Sequence, residues 1–145
     1  MKILPIRAGY LLGPILFLLA LHPAHAQEKS KISPDAEAYI IAPSDGAVVT
    51  SPVTVVFGLR GAGIAPAGIT LKNTGHHHLI IDAPLPDTNV PIPSDDNYRH
   101  FGKGQTEASI VLAPGQHTLQ LLLGDGLHIP HDNVIASAPI TITVE

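Results

Sequence analysis

Val53-Thr54-Val55-Val56-Phe57-Gly58-Leu59 sets Val53, Val55, Phe57 and Leu59 on one side of an extended chain and Thr54 and Val56 on the other. That two-residue period is the mark of a strand with one face in a core, and β-branched and aromatic residues suit the pleated surface. Similar short runs recur on both sides of it. Tyr39-Ile40-Ile41 precedes it, and 76–82, 105–112, 117–123 and 140–144 follow. Between them stand turn residues, such as Pro43-Ser44-Asp45-Gly46 and Ala113-Pro114-Gly115, the latter read as a tight reversal. No stretch after residue 26 carries a helical apolar period. The expected fold is therefore all-β, an immunoglobulin-like β-sandwich of about six to seven strands. Two long links, 60–75 and 83–104, are rich in Gly and Pro and read as irregular. Links of that length in a small domain commonly carry function.

The chain begins differently. Lys2 and Arg7 are followed by an apolar run over 8–21 and then by Ala24-His25-Ala26. This is the pattern of a secretory signal peptide over 1–26, with a run too short to span a bilayer comfortably. The mature chain is expected to start at Gln27, with 27–38 a flexible lead-in and 39–145 a single domain in the periplasm or outside the cell. No cysteine follows the apolar run, so neither a lipid-modified N-terminus nor a disulfide is expected. Of 8 Lys and Arg, two lie in the leader, while all 12 acids lie beyond it, leaving 6 against 12 and a mature charge of −6. That balance argues against nucleic acid or an anionic membrane surface as partner.

Seven of the nine histidines lie beyond residue 26: His76, His77, His78, His100, His117, His128 and His131. In an immunoglobulin-like path, 53–59 ascends, 76–82 and 105–112 descend, and 117–123 ascends beside 76–82. His76 to His78 then start a descending strand, His100 precedes another, and His128 and His131 follow an ascending one. Six histidines are expected at one end of the sandwich. His117 falls at the other, as a hydrogen-bonding residue.

His76 and His78 share a strand face roughly 6.5–7 Å apart, a spacing that lets two imidazoles reach one ion. His128-Ile129-Pro130-His131 offers further ring nitrogens from a stiffened loop. The candidate ligands are His76, His78, His128 and His131, with His100 next; Asp125, Asp132 and Glu107 are candidates to orient them. His77 points to the opposite face, with Leu79 and Ile81. The mature chain has no Cys or Met, so any site is built from nitrogen and oxygen, which suits Cu(II) and Zn(II), then Ni(II), and disfavours Cu(I). The same histidines also suit a network that braces loops, or one that senses pH.

Other chemistry has less support. Phe101-Gly102-Lys103-Gly104-Gln105-Thr106-Glu107 lacks the spacing of a phosphate loop and has no helix after it. No serine lies in a nucleophile elbow, and no catalytic residue is assigned. A metal-dependent hydrolase would lean on Glu107 as its base, and is a minor alternative. Tyr39, Phe57, Tyr98 and Phe101 are too few for a carbohydrate-stacking surface.

Several of these segments carry a family resemblance. Gly75-His76-His77-His78-Leu79, Pro91-Ile92-Pro93 and 100–107 belong to it, as do 114–120, Gly124-Asp125 and His128-Ile129-Pro130-His131. In these the chain resembles the DUF4399 domain family, bacterial exported domains of unknown function, from about Tyr39 to Val144. The resemblance implies no ligand. In architecture, and in Pro43-Ser44-Asp45-Gly46-Ala47, the chain is also similar to CopC-type periplasmic copper-binding sandwiches. Cleavage before Gln27 would remove His25, the counterpart of their N-terminal histidine ligand.

The expectation is thus an exported, monomeric binding protein rather than an enzyme. Its partner is a divalent transition metal or, alternatively, a cell-envelope protein met by a module whose histidines brace loops or sense pH.

Overall fold

A computed structural model describes residues 28–145. The expected signal peptide lies outside the described residues. The described chain is all strand and forms two open sheets. Strands β1 (Glu37–Ala42), β3 (Val53–Arg60) and β7 (Glu107–Ile110) form one sheet, in the order β1-β3-β7. The other runs β2 (Val48–Val49), β9 (Ile140–Val144), β8 (Gly115–Gly124), β5 (Thr74–Ile81) and β4 (Gly63–Ile64), with β6 (Tyr98–His100) also paired to β5. This is the expected all-β sandwich. Among the described residues the strands number nine rather than six or seven, because β2, β4 and β6, only two or three residues long, are too short to show an alternation.

The core lies between the sheets. Val53, Val55 and Phe57 of β3 meet Leu79 and Ile81 of β5, Leu119, Leu121 and Leu123 of β8, and Ile142 and Val144 of β9. Strand β5 differs from an ordinary sandwich strand, because both of its faces are buried from Gly75 to Ile81. One face joins the core. The other carries Ile80, which packs with Ile92 and Leu122 beneath the links that leave β5 and β8. A second, smaller apolar cluster thus covers the outer face of the larger sheet.

Three expectations are corrected. Pro114-Gly115 does not close a hairpin: β7 pairs with β3 in the smaller sheet, while β8 pairs with β5 and β9 in the larger. The turn carries the chain between layers. Link 83–104 is not wholly irregular, since it contains β6. The Asp95 carboxylate accepts from the Asn97 and Tyr98 amides, and Asn97 is bonded to Ile81 through both its carbonyl and its side chain, which docks β6 onto β5. The third concerns the lead-in. Ile32 is buried in the core, the Ser33 amide donates to Asn73, and the Ser30 carbonyl accepts from the Asp132 amide. Residues 30–33 are therefore pinned against the end of the sandwich that holds the histidines, rather than free.

Candidate metal centre

Antiparallel pairing of β5 with β8 puts His76 opposite Gly124 and His78 opposite Leu122. Both rings project from the outer face of the larger sheet, at the end where β5 begins. Pairing of β5 with β6 sets His100 directly across from His78, so those two share that face. His128 arrives from the loop after β8. The group is thus at the expected end of the sandwich, on the outer surface of one sheet and under its loops.

His128 is the centre of the group. Its Nδ1 lies 3.0 Å from His76 Nε2, 3.4 Å from His78 Nε2 and 3.1 Å from His100 Nδ1. One ring nitrogen has a single in-plane direction, filled either by a hydrogen or by a lone pair, so it can satisfy one of these neighbours and not three. The spacing has a simpler meaning as the edges of a coordination shell. Nitrogens about 2.0–2.1 Å from one ion stand roughly 3.4 Å apart at the tetrahedral angle and roughly 2.9 Å apart at a right angle. The three observed separations fall between these limits. His76, His78 and His128 each offer a nitrogen within 4.8 Å of the others, a group that could hold a metal ion.

The loop geometry behind this is specific. His128 has φ +64°, a left-handed conformation that costs a residue with a side chain some strain. Asp125 holds the turn in place: its carboxylate accepts from the Leu127 and Ile129 amides and from the Ser30 hydroxyl. The segment Pro91-Ile92-Pro93 closes over the other side. The Ile92 amide donates to the His128 carbonyl at 2.8 Å, and the Pro93 carbonyl accepts from His100 Nε2 at 2.6 Å. Gly124 makes room for the group, since a Cβ there would sit 2.6 Å from Cε1 of His78.

Burial sets the charge state. His76 and His78 are fully buried, while His100 and His128 are half-buried. Burial, reinforced by His128 and His100 and opposed by Asp125, lowers the His76 pKa from 6.5 to about 4. Burial, then His76, His100 and His128, lowers His78 to about 2. His128 is also lowered, by burial and then by His100, against Asp125. Near pH 7 these imidazoles are neutral, and their lone pairs are open to a cation. The Nδ1 atoms of His76 and His78 are buried and meet no hydrogen-bond partner among the described residues, whereas His100 has an outer anchor on its second nitrogen.

The remaining candidates lie elsewhere. His131 is a correction to the expected ligand set: Nε2 donates to the Thr74 carbonyl at 3.1 Å, and the ring stands outside the group around His128. A histidine three residues beyond His128 has passed Pro130, whose bridge to Gly124 turns the chain back along the sheet. Asp132 and Glu107 are exposed and hydrogen-bond no imidazole among the described residues; Asp132 caps Asn133, and Glu107 lies on β7 in the other sheet. His77 faces the core against Phe57, with ring centroids 5.3 Å apart. His117, at the far end, bonds Asp82 at 2.6 Å and the Ala113 carbonyl at 2.9 Å. The residues that went unread as contributors are Ile92, Pro93 and Gly124. They act through backbone atoms or through the lack of a side chain, and the available signal was only a stiff Pro-Ile-Pro inside a long link.

A family model described as Domain of unknown function (DUF4399) matches residues 55–145, and the chain belongs to that family. No curated protein and no solved structure matches it. The matched segment contains all four converging histidines.

Proposed function

We propose that this DUF4399 protein is an exported, periplasmic or secreted monomer that binds a divalent transition metal, Cu(II) or Zn(II). The ligands are His76, His78 and His128, with His100 completing the shell, and the role is carriage, buffering or sensing rather than turnover. The observation that carries this reading is the meeting of three ring nitrogens on His128 Nδ1 at 3.0–3.4 Å. Hydrogen bonding alone leaves at least two of those contacts unsatisfied, whereas one cation uses every lone pair. A donor set of imidazoles without sulfur suits both ions.

The test is calorimetric titration of chelator-stripped protein with Cu(II), Zn(II) and Ni(II), beside His128→Ala and the His76→Ala/His78→Ala double variant. One ion bound per chain at micromolar or tighter affinity, and lost in both variants, supports the reading. His128 lies in a half-buried loop, so its variant keeps the sheet intact and guards against a trivial loss of fold. No saturable heat with any of the ions, or heat unchanged in both variants, overturns it.

A second reading has its own observation. His100, His117 and His131 each bond a backbone carbonyl, and two of these rings also tie distant segments together, His131 through Thr74 and His117 through Asp82, which is how a brace works. On that reading the protein is a cell-envelope interaction module, and its histidines lock loops or respond to pH without metal.

A further inference from the structure

Read as a metal centre, the four converging histidines also have a shape, and that shape discriminates between ions. His128 Nδ1 stands 3.0 Å from His76 Nε2, 3.4 Å from His78 Nε2 and 3.1 Å from His100 Nδ1. In a square plane each donor has two neighbours beside it and one opposite. With bonds of about 2.0–2.1 Å, the opposite donor is roughly 4.0–4.2 Å away. His128 has all three of the other nitrogens beside it and none opposite. In a tetrahedron every donor is beside the other three, at roughly 3.4 Å for the same bonds. An ion that favours a tetragonal field, such as Cu(II) or Ni(II), would have to draw one nitrogen away from His128 or leave His128 on a weak axial bond. Zn(II) has no such preference and suits a tetrahedral shell.

The surroundings oppose a rearrangement. His76 and His78 are fixed by the pairing of β5 with β8, and a Cβ at Gly124 would already lie 2.6 Å from Cε1 of His78. His100 Nε2 is tied to the Pro93 carbonyl, and the His128 carbonyl to the Ile92 amide. The group is also shut off from other donors. His76 and His78 are fully buried, and no carboxylate joins the group among the described residues. Asp125, on the same loop as His128, already accepts from Ser30, Leu127 and Ile129. Four imidazoles without an open position make the closed kind of shell, which holds an ion rather than activating water.

Resting on the reading of these residues as a metal centre, we propose that they form a closed tetrahedral site for Zn(II). His76 and His78 bind through Nε2, His100 and His128 bind through Nδ1, and no water enters the shell.

The test is absorption spectroscopy of chelator-stripped protein titrated with Co(II) and then with Zn(II). Co(II) gives intense visible bands in a tetrahedral field and weak ones in a six-coordinate field, because a tetrahedron has no centre of symmetry. One equivalent of Co(II) should produce intense bands that do not change between about pH 6 and 9, and one equivalent of Zn(II) should bleach them. In His100→Ala a water takes the vacated position, so the bands should become pH-dependent near neutrality, where metal-bound water ionises. Cu(II) in the parent should give an EPR spectrum with the small parallel hyperfine splitting of a flattened tetrahedron. Saturable Co(II) binding with weak bands, parent bands that shift with pH as the variant's do, or the large Cu(II) splitting of a square plane would overturn the tetrahedral site and leave metal binding itself standing. Absence of saturable binding of any of the three ions would overturn both.

Discussion

His100 gives its Nε2 hydrogen to the Pro93 carbonyl oxygen at 2.6 Å, and this leaves its Nδ1 as a bare lone pair 3.1 Å from His128 Nδ1. A backbone atom in a proline-stiffened link thus selects the tautomer of a ring that faces the candidate metal centre. Outer contacts of this kind orient metal-ligating histidines and raise their basicity.

From this contact, His100→Ala should retain the fold and weaken metal binding by about 10–100-fold, less than the loss expected for His128→Ala. Competition titration against a chelator of known affinity measures both. An unchanged affinity in His100→Ala would remove His100 from the shell.

Gly124→Ala sets a methyl 2.6 Å from His78 Cε1 and 3.2 Å from both His78 Nδ1 and Ile92 Cδ1. The ring, the loop or both must shift. Urea denaturation should register a loss of about 1–3 kcal/mol, and metal affinity should fall with it. Retention of full stability and affinity would mean that His78 has more freedom than its packing indicates.

In the metal-free protein, stability should decline as the pH is lowered below about 6.5. His76 and His77 have folded pKa values of about 4, against 6.5 when solvated. Between those values the unfolded chain binds more protons than the folded one, so stability rises with pH across that window and is lost as pH falls through it. His117 works in the opposite sense: Asp82 raises its pKa, and the stability it contributes is present below 6.5 and is lost at higher pH. Denaturation midpoints at a series of pH values, with chelator and then with Zn(II), measure the effect; bound metal should move the decline to lower pH.

Among the described residues His77 has no partner for either ring nitrogen, although it is fully buried beside Phe57. Replacing a buried, unsatisfied polar group with an apolar one of similar size is neutral or stabilising. His77→Leu should therefore melt at or above the temperature of the parent, bind metal equally well, and lose part of the acid sensitivity. A clear fall in melting temperature would show that the imidazole has a partner in solution, such as an ordered water.

Asp125→Ala removes the acceptor of the Leu127 and Ile129 amides and of the Ser30 hydroxyl. A loss of roughly 1–2 kcal/mol is expected, as for other side chains that cap orphan backbone amides. The larger effect should be on metal affinity, because the left-handed turn at His128 loses its support. Chelator competition on Asp125→Asn, which keeps one acceptor oxygen, should give an intermediate value.

The strands and the class of fold were legible in the residues themselves. Val53, Val55 and Phe57 alternate with polar or less buried neighbours, and β9 begins and ends where Ile140, Ile142 and Val144 alternate with threonines. Side-chain alternation is a local property, so chemistry read two residues at a time is enough to find it. That His76 and His78 would share a face follows from the same rule, and their place at one end follows from strand direction.

Which other imidazoles join them was decided by tertiary structure alone. His100 enters because a three-residue strand docks on β5, and His131 is turned away although it stands only three positions from His128. Neither event has a period or a motif, since each depends on where a long link finds its hydrogen-bond partners: Asn97 on Ile81, Ile92 on His128, Pro93 on His100. The first two of those contacts join residues well separated in the chain, and the third depends on the docking they bring about. Local sequence sets the geometry of a strand, but only the packed sandwich brings the loops within 3 Å of it.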